Sequence, residues 1–281
     1  MQIQTIAVCG AGTMGSGIAQ LCAQNGFTTI LFDVQEQILL KSKKQIEQTI
    51  NSYVSKQKLT EQEAVNIFQR ITYTHQIKDC KADIVIEAII EELSAKQKLF
   101  EQLAAINQPH IILASNTSSI SIASIAATIS FPERIMGLHF FNPAPLMKLV
   151  EIIETPFTQK KFTEQLIQFT QQLNKVAVVC KDAPGFIVNR VARHYYLEAM
   201  RLIENNLATI ETVDATMESL GFKMGPFKLM DLIGLDINLN VSKIVYEQLK
   251  KPSRLQPSTL QQQKVNENKL GRKTGEGFYS Y

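Results

Sequence analysis

The 281-residue chain has no tryptophan, and phenylalanine and tyrosine bring its aromatic content to only 7%. Charge of one sign is also missing: 29 Lys and Arg stand against 26 Asp and Glu, a net +3. Without a basic field or aromatic stacking platforms, nucleic acid is not an expected partner. Cysteine is scarce, and Cys9, Cys22, Cys80 and Cys180 form no Cys-x-x-Cys pair, so no metal site is expected and a reducing compartment fits. No stretch approaches the ~20 apolar residues that cross a bilayer; the richest, Ile84–Ile90, is interrupted by Glu87. The first strand-like run, Thr5–Cys9, begins close to Met1 and leaves little room for a leader, so the expectation is a cytoplasmic protein with no membrane partner. With 45% hydrophobic and 20% charged residues, what remains is an ordinary globular chain long enough for two domains.

Short β-branched runs recur at Thr5–Cys9, Thr28–Phe32, Ile71–Thr74, Ile84–Glu87, residues 111–115, 135–139, 149–153 and 176–180. Helical patterns separate most of them, which predicts a largely parallel sheet with crossover helices. No Gly or Pro occurs between Gln35 and Gln69, where Ile38, Ile46, Ile50, Val54, Val65 and Phe68 recur at helical spacing with a break near Leu59-Thr60. A helical hairpin is expected there, before the third strand. After the breaker cluster Asp182-Ala-Pro-Gly185 the strand pattern gives way to helical periodicity over residues 188–204 and 209–220. The expected division is therefore a sheet domain over residues 1–183 and a smaller all-α domain over 184–281. Apolar pairs such as Leu229-Met230 and Leu232-Ile233 in the second part suggest a partner surface, and a homodimer is the commonest closed assembly.

The segment Gly10-Ala-Gly12-Thr13-Met14-Gly15 follows the first strand and opens a helix. Gly10 suits a tight turn, Gly12 lets the backbone approach a pyrophosphate, and Gly15 lets helix and sheet pack closely. Asp33 ends the second strand 33 − 12 = 21 positions after Gly12, near the ~20 expected of an acid that binds the adenosine ribose. A carboxylate there repels a 2′-phosphate, so NAD is expected over NADP; a role in capping the next helix is also compatible with Asp33 but does not explain the spacing. The fold class predicted is α/β: a Rossmann-like, doubly wound, mostly parallel sheet with an inserted helical hairpin, followed by the all-α domain.

Hydride chemistry needs a group to move the substrate proton. Among four histidines, His75 and His110 lie at strand edges and His194 lies beside Arg193 in a helix. His139 ends a strand and precedes the irregular Phe140-Phe-Asn142-Pro, and Glu151 begins the next strand-like run 12 positions later. If the two strands are neighbours, carboxylate and imidazole meet and the pair can work as acid and base. On these residues alone, a core histidine with an unrelated glutamate is the preferred reading.

Six motifs in order, Gly10–Gly15, Ile86-Glu-Ala-Ile-Ile-Glu91, Ser115-Asn-Thr-Ser-Ser119, Gly137-Leu-His-Phe-Phe-Asn-Pro143, Pro184-Gly-Phe-Ile-Val-Asn-Arg190 and Gly225-Pro-Phe227, together resemble the short-chain L-3-hydroxyacyl-CoA dehydrogenases over nearly the whole chain. That resemblance implies NAD-dependent, reversible oxidation of (S)-3-hydroxyacyl-CoA, with 3-hydroxybutyryl-CoA the expected substrate, in a homodimer. It implies that His139 is the acid/base, Glu151 its orienting partner, Ser118 a ligand of the 3-oxygen and Asn189 a substrate-positioning residue. It further implicates Glu91, Lys96, Asn116, Ser118, Asn142 and the tail residue Lys273 around the cofactor, and Thr49, Lys56 and Ser118 toward coenzyme A. The hairpin's Lys41, Lys43, Lys44, Lys56 and Lys58 suit anionic phosphates, although a solvated lysine face is nearly as good a reading of any one of them. Two rivals stay open: relatives that oxidise small sugar acids, and an NAD-binding protein without catalysis, which should have lost part of the set His139, Glu151, Ser118 and Asn189. The segment Val265–Lys269 lacks the glycine expected before the tail.

Overall fold

The β-branched runs form the eight strands of one sheet in the computed structural model, which describes residues 3–281. They are β1 (Thr5–Cys9), β2 (Thr28–Phe32), β3 (Ile71–Thr74), β4 (Ile84–Glu87), β5 (Ile112–Ser115), β6 (Ile135–Phe140), β7 (Leu149–Glu154) and β8 (Val176–Lys181). The order is β3-β2-β1-β4-β5-β6-β7-β8. The first six run parallel, β7 is antiparallel to β6, and β8 is parallel to β7. The reversal has a simple cause: segment 141–148 is shorter than the roughly dozen residues a parallel crossover needs. All residues of β4, β5 and β6 are buried, whereas the edge strand β8 is mostly half-buried or exposed, in keeping with helices covering both faces of the sheet centre.

Helices α1 (Thr13–Gln24), α2 (Glu36–Ser55), α3 (Glu61–Gln69), α4 (Leu93–Ile106), α5 (Ile122–Ala126) and α6 (Lys160–Gln172) complete this unit, which runs to Asp182. The hairpin expected before β3 is α2 and α3. Thr60 starts α3 with a reciprocal capping box, its hydroxyl accepting from the Glu63 N–H while the Glu63 carboxylate accepts from the Thr60 N–H, which satisfies two otherwise orphaned donors. Leu39, Ile46 and Ile50 bury one face of α2, and the Ser16 and Ser42 hydroxyls join α1 to α2 at 2.7 Å. Strand order reverses between β1 and β4, which places a crevice at the carboxyl ends of those strands.

The second unit, Ala183–Tyr281, contains α7 (Val188–Glu204), α8 (Ile210–Ser219), α9 (Pro226–Ile233), α10 (Leu235–Gln248) and α11 (Thr259–Asn266). Its core includes Leu197, Met200, Phe227, Met230 and Leu235. Of the apolar pairs singled out in the sequence, Met230 belongs to this core, whereas Leu232 and Ile233 are exposed. Two buried aspartates organise the rest. Asp214 accepts from the Phe227 and Lys228 N–H groups at the start of α9 and from the Tyr279 hydroxyl. Asp231 accepts from the Phe278 and Tyr279 N–H groups and the Tyr281 hydroxyl. The tail is thus held by carboxylates, and a glycine before it is not required. Among the described residues, no helix is long and apolar enough to cross a membrane.

Candidate active site

The glycine loop joins β1 to α1 at the strand-order reversal. Gly10 has φ +104°, and a Cβ at Gly15 would strike the Gly10 carbonyl, whereas a Cβ at Gly12 would meet nothing within 4 Å. Gly10 and Gly15 therefore close the loop, and Gly12 leaves open space above it. Gly12 is the N-cap of α1, no side chain caps that helix end, and its first turn carries no acid. Such an end, with Thr13, Met14 and Gly15 at its start, suits an anionic phosphate. Asp33 pins the loop to β2: Oδ2 accepts from the Ala11 N–H at 2.8 Å and Oδ1 from the Gln35 N–H at 3.0 Å. Gln35 is the N-cap of α2, so the capping role weighed for Asp33 exists beside the loop contact. One donor per oxygen leaves each oxygen a lone pair for a hydroxyl.

Strands β6 and β7 set His139 directly opposite Glu151. His139 Nδ1 lies 2.7 Å from Glu151 Oε2, with the two residues 6% and 0% exposed. With Glu151 a carboxylate, the shared proton sits on Nδ1 and fixes the tautomer. The Phe141 ring packs at 4.5 Å between centroids against the imidazole. His75, His110 and His194 are all exposed. The antiparallel turn-back thus does what the sequence reading required of it, bringing two residues 12 apart side by side.

A second constellation surrounds the end of β4. Glu87 is fully buried and accepts from Lys96 Nζ at 2.5 Å, the Ser115 hydroxyl at 2.6 Å and the Ile89 N–H at 2.7 Å. Lys96, 1% exposed, also pairs with Glu91 at 3.2 Å. Glu91 Oε1 in turn accepts from the Thr117 hydroxyl, the Ser118 N–H and the Ser119 hydroxyl. Partial burial works to raise the Glu91 carboxyl, but the Lys96 ammonium and the two hydroxyls outweigh it and hold the group below the usual carboxylate range. Asn116 Oδ1 accepts from the Phe140 N–H at 2.8 Å, tying the serine segment to the strand that carries His139.

Within the first unit the structure therefore gathers Glu91, Lys96, Asn116 and Ser118 into one hydrogen-bonded system beside the strand ends. Asn142 is exposed in the segment after His139. Thr49 and Lys56 lie on the hairpin, where Thr49 Oγ1 donates to the Gln45 carbonyl and Lys56 is exposed at the end of α2. Asn189 and Lys273 belong to the second unit: Asn189 is half-buried in the first turn of α7, and Lys273 is held by Asp236 at 2.5 and 2.7 Å. Among the described residues no group of His, Cys, Asp or Glu could hold a metal ion.

The profile of the 3-hydroxyacyl-CoA dehydrogenase NAD binding domain matches residues 5–183, and that of the 3-hydroxyacyl-CoA dehydrogenase C-terminal domain matches residues 185–281. The chain belongs to the 3-hydroxyacyl-CoA dehydrogenase family. Its first part is that family's NAD-binding domain. The chain is 44% identical to 3-hydroxyadipyl-CoA dehydrogenase of Escherichia coli (strain K12), over 100% of this chain and 60% of that protein. It is 42% identical to the mitochondrial hydroxyacyl-coenzyme A dehydrogenase of Sus scrofa, over 99% of this chain and 91% of that one. The crystal structure of (S)-3-hydroxybutyryl-CoA dehydrogenase from Ralstonia eutropha superposes with a TM-score of 0.94 at 37% identity, covering 100% of this chain and 99% of that one.

Three residues of this family member were given no role by the sequence reading. Glu87 lies inside a quoted motif, and its spacing of nine from Lys96 was the available sign of a strand-to-helix ion pair. Asp214 and Asp231 carry no local sign of their role, since their backbone donors lie 13 to 48 positions away.

Proposed function

We propose that the chain catalyses the reversible, NAD-dependent oxidation of (S)-3-hydroxyacyl-CoA to 3-oxoacyl-CoA. The observation that carries this reading is the buried His139–Glu151 pair on adjacent strands of a sheet whose glycine loop suits a dinucleotide. Bound NAD would supply the hydride acceptor. The α1 N-terminus would hold its pyrophosphate and Asp33 its adenosine ribose, excluding a 2′-phosphate.

His139 takes the proton from the 3-hydroxyl oxygen through Nε2, because Glu151 occupies the Nδ1 side and supports the imidazolium that forms. In the reverse direction the same nitrogen returns the proton. Ser118 donates to the substrate 3-oxygen, and Glu91 acts through the serine segment, holding the Ser118 N–H and both neighbouring hydroxyls. Lys96 is too buried to be a surface ligand and steadies Glu91 from below. Asn189 and Lys273 keep the substrate- and cofactor-side roles of the matching motifs, Asn142 and Asn116 flank the cofactor, and Thr49 with Lys56 meets the coenzyme A phosphates. On this reading residues 1–183 bind the cofactor, while 184–281 serve substrate and subunit contacts in a cytoplasmic homodimer. The complete set His139, Glu151, Ser118 and Asn189 speaks against a binding protein without catalysis.

NADH oxidation by acetoacetyl-CoA, followed at 340 nm, tests the reading. Turnover with NADH and little with NADPH is expected; NADH binding with no consumption of the thioester would transfer the chain to the sugar-acid or non-catalytic alternative.

A further inference from the structure

Glu87 ends β4 with a carboxylate in the interior of the sheet, flanked in the ladder by Cys9 of β1 and Ser115 of β5. The other residues of the strand, Ile84, Val85 and Ile86, are apolar and buried. Replacing a buried ion pair by apolar residues of similar volume is often neutral for stability, because desolvation of both charges offsets their attraction. The carboxylate is therefore not explained by the fold alone, and its consequence lies in what it holds.

Its grip on the serine segment runs through backbone and side chain. The Glu87 carbonyl accepts from the Asn116 N–H at 2.8 Å, Oε2 accepts from the Ser115 hydroxyl at 2.6 Å, and Oε1 accepts from Lys96 Nζ at 2.5 Å. Ser115 Oγ passes the contact on by accepting from the Thr117 N–H at 3.2 Å. Lys96 passes it on by a second route, since its Nζ also lies 3.2 Å from Glu91 Oε2, and Glu91 Oε1 accepts from the Thr117 and Ser119 hydroxyls and from the Ser118 N–H. Segment 115–119 thus hangs between two carboxylates joined by one ammonium. Of its four hydroxyls, those of Ser115, Thr117 and Ser119 are committed to Glu87 and Glu91, and that of Ser118 alone makes no hydrogen bond among the described residues. With three hydroxyls tied back, the segment presents a single donor in a fixed place.

We infer that Glu87 is a positioning residue for the reaction: fully buried, it acts through Ser115 and Lys96 to fix the Ser118 hydroxyl where the substrate 3-oxygen is bound. The inference rests on the dehydrogenase reading above, in which Ser118 donates to that oxygen. A donor fixed in advance needs no reorganisation in the transition state, and a displacement of about 1 Å is enough to lose about a hundredfold in rate. Glu87→Gln keeps the shape but offers one oxygen in place of two to the donors Lys96, Ser115 and Ile89 N–H. Both routes to Ser118 then slacken together.

A double-mutant cycle on kcat separates this role from a general weakening of the fold. With acetoacetyl-CoA and NADH, Glu87→Gln is expected to lower kcat about tenfold to a hundredfold in the wild-type chain, and less than about threefold beside Ser118→Ala, where the hydroxyl it positions is gone. An equal factor in both backgrounds would overturn the inference while leaving the dehydrogenase reading intact. Ser115→Ala cuts one route and leaves the ion pair in place; it should lower kcat by a smaller factor that also vanishes beside Ser118→Ala, and it decides the matter if Glu87→Gln does not fold. If the wild type leaves the thioester untouched, the dehydrogenase reading fails, and amide exchange by mass spectrometry then decides whether Glu87 holds Ser118. Exchange at Thr117 and Ser118 should quicken in Glu87→Gln or Ser115→Ala with β1 and β2 unchanged, whereas no change there, or the same acceleration throughout the sheet, refutes it.

Discussion

At the scale of single residues, the account depends on charges that are buried and paired. Glu151 has no contact with solvent and one strong partner in His139, so Glu151→Gln keeps the shape but removes the charge that supports an imidazolium. A fall in kcat of about a hundredfold or more is expected, with KM nearly unchanged, by steady-state kinetics. Lys96→Met leaves Glu87 buried with no cation, which should cost about 3–5 kcal/mol in urea denaturation. Glu91 gives a pH test with a definite sign. Its folded carboxyl is held below the usual range by Lys96 and the serine-segment hydroxyls despite the opposing effect of burial. The stability it contributes is therefore fully present above the unfolded value, ~4.3, and is lost as pH falls through the lower folded value. Wild type and Glu91→Gln should differ in urea midpoint at pH 6, and the difference should shrink as pH falls through the lowered folded value; a difference independent of pH would contradict this. Asp33 was legible from its spacing to the glycine loop, whereas His139 and Glu151 could be paired only through the resemblance of the motifs around them. Glu87 and Arg193 were not legible, because burial of a charge is decided by partners such as Ser115 and Asn238, 28 and 45 positions away.

At the scale of elements, the strands and the hairpin could be read from β-branched runs and helical periodicity, since each pattern is local. Residues 36–69 carried no glycine or proline, with a break near Leu59-Thr60, and the structure shows the capping box of Thr60 and Glu63 that starts α3 there. Strand direction was less accessible. The alternation of strands and helices suggested parallel pairing, and only the shortness of segment 141–148 signalled that β7 turns back. That reversal matters for chemistry, because it alone puts His139 across from Glu151. Tail docking was also hidden, since it rests on two aspartates in α8 and α9 and on Gly271 and Gly277, at each of which a Cβ would strike Asp231. Asp231→Ala removes the acceptor of two backbone N–H groups and a tyrosine hydroxyl. Faster amide exchange at Phe278 and Tyr279 is expected by mass spectrometry, together with a loss of about 2–4 kcal/mol.

At the scale of the whole molecule, the helical unit exposes the apolar side chains Leu207, Leu220, Phe222, Leu232, Ile233 and Ile237, and the proposed homodimer predicts that a second subunit covers some of them. Light scattering should give about 63 kDa, twice the 31.6 kDa of one chain; a mass of one chain at micromolar concentration would remove the dimer. The glycine loop was legible as a motif, whereas the contacts among Arg193, Asn238 and Ser242 depend on how helices bury them, which periodicity does not reveal. The central claim is that His139 moves the substrate proton in an NAD-dependent hydroxyacyl-CoA dehydrogenase. The most direct measurement is NADH consumption with acetoacetyl-CoA by the wild type and by His139→Gln, with folding of the variant checked by circular dichroism. The account expects turnover by the wild type and a loss of roughly a hundredfold to ten-thousandfold in kcat for the variant. A folded variant that keeps the wild-type rate, or a wild type that binds NADH and leaves the thioester intact, would contradict it.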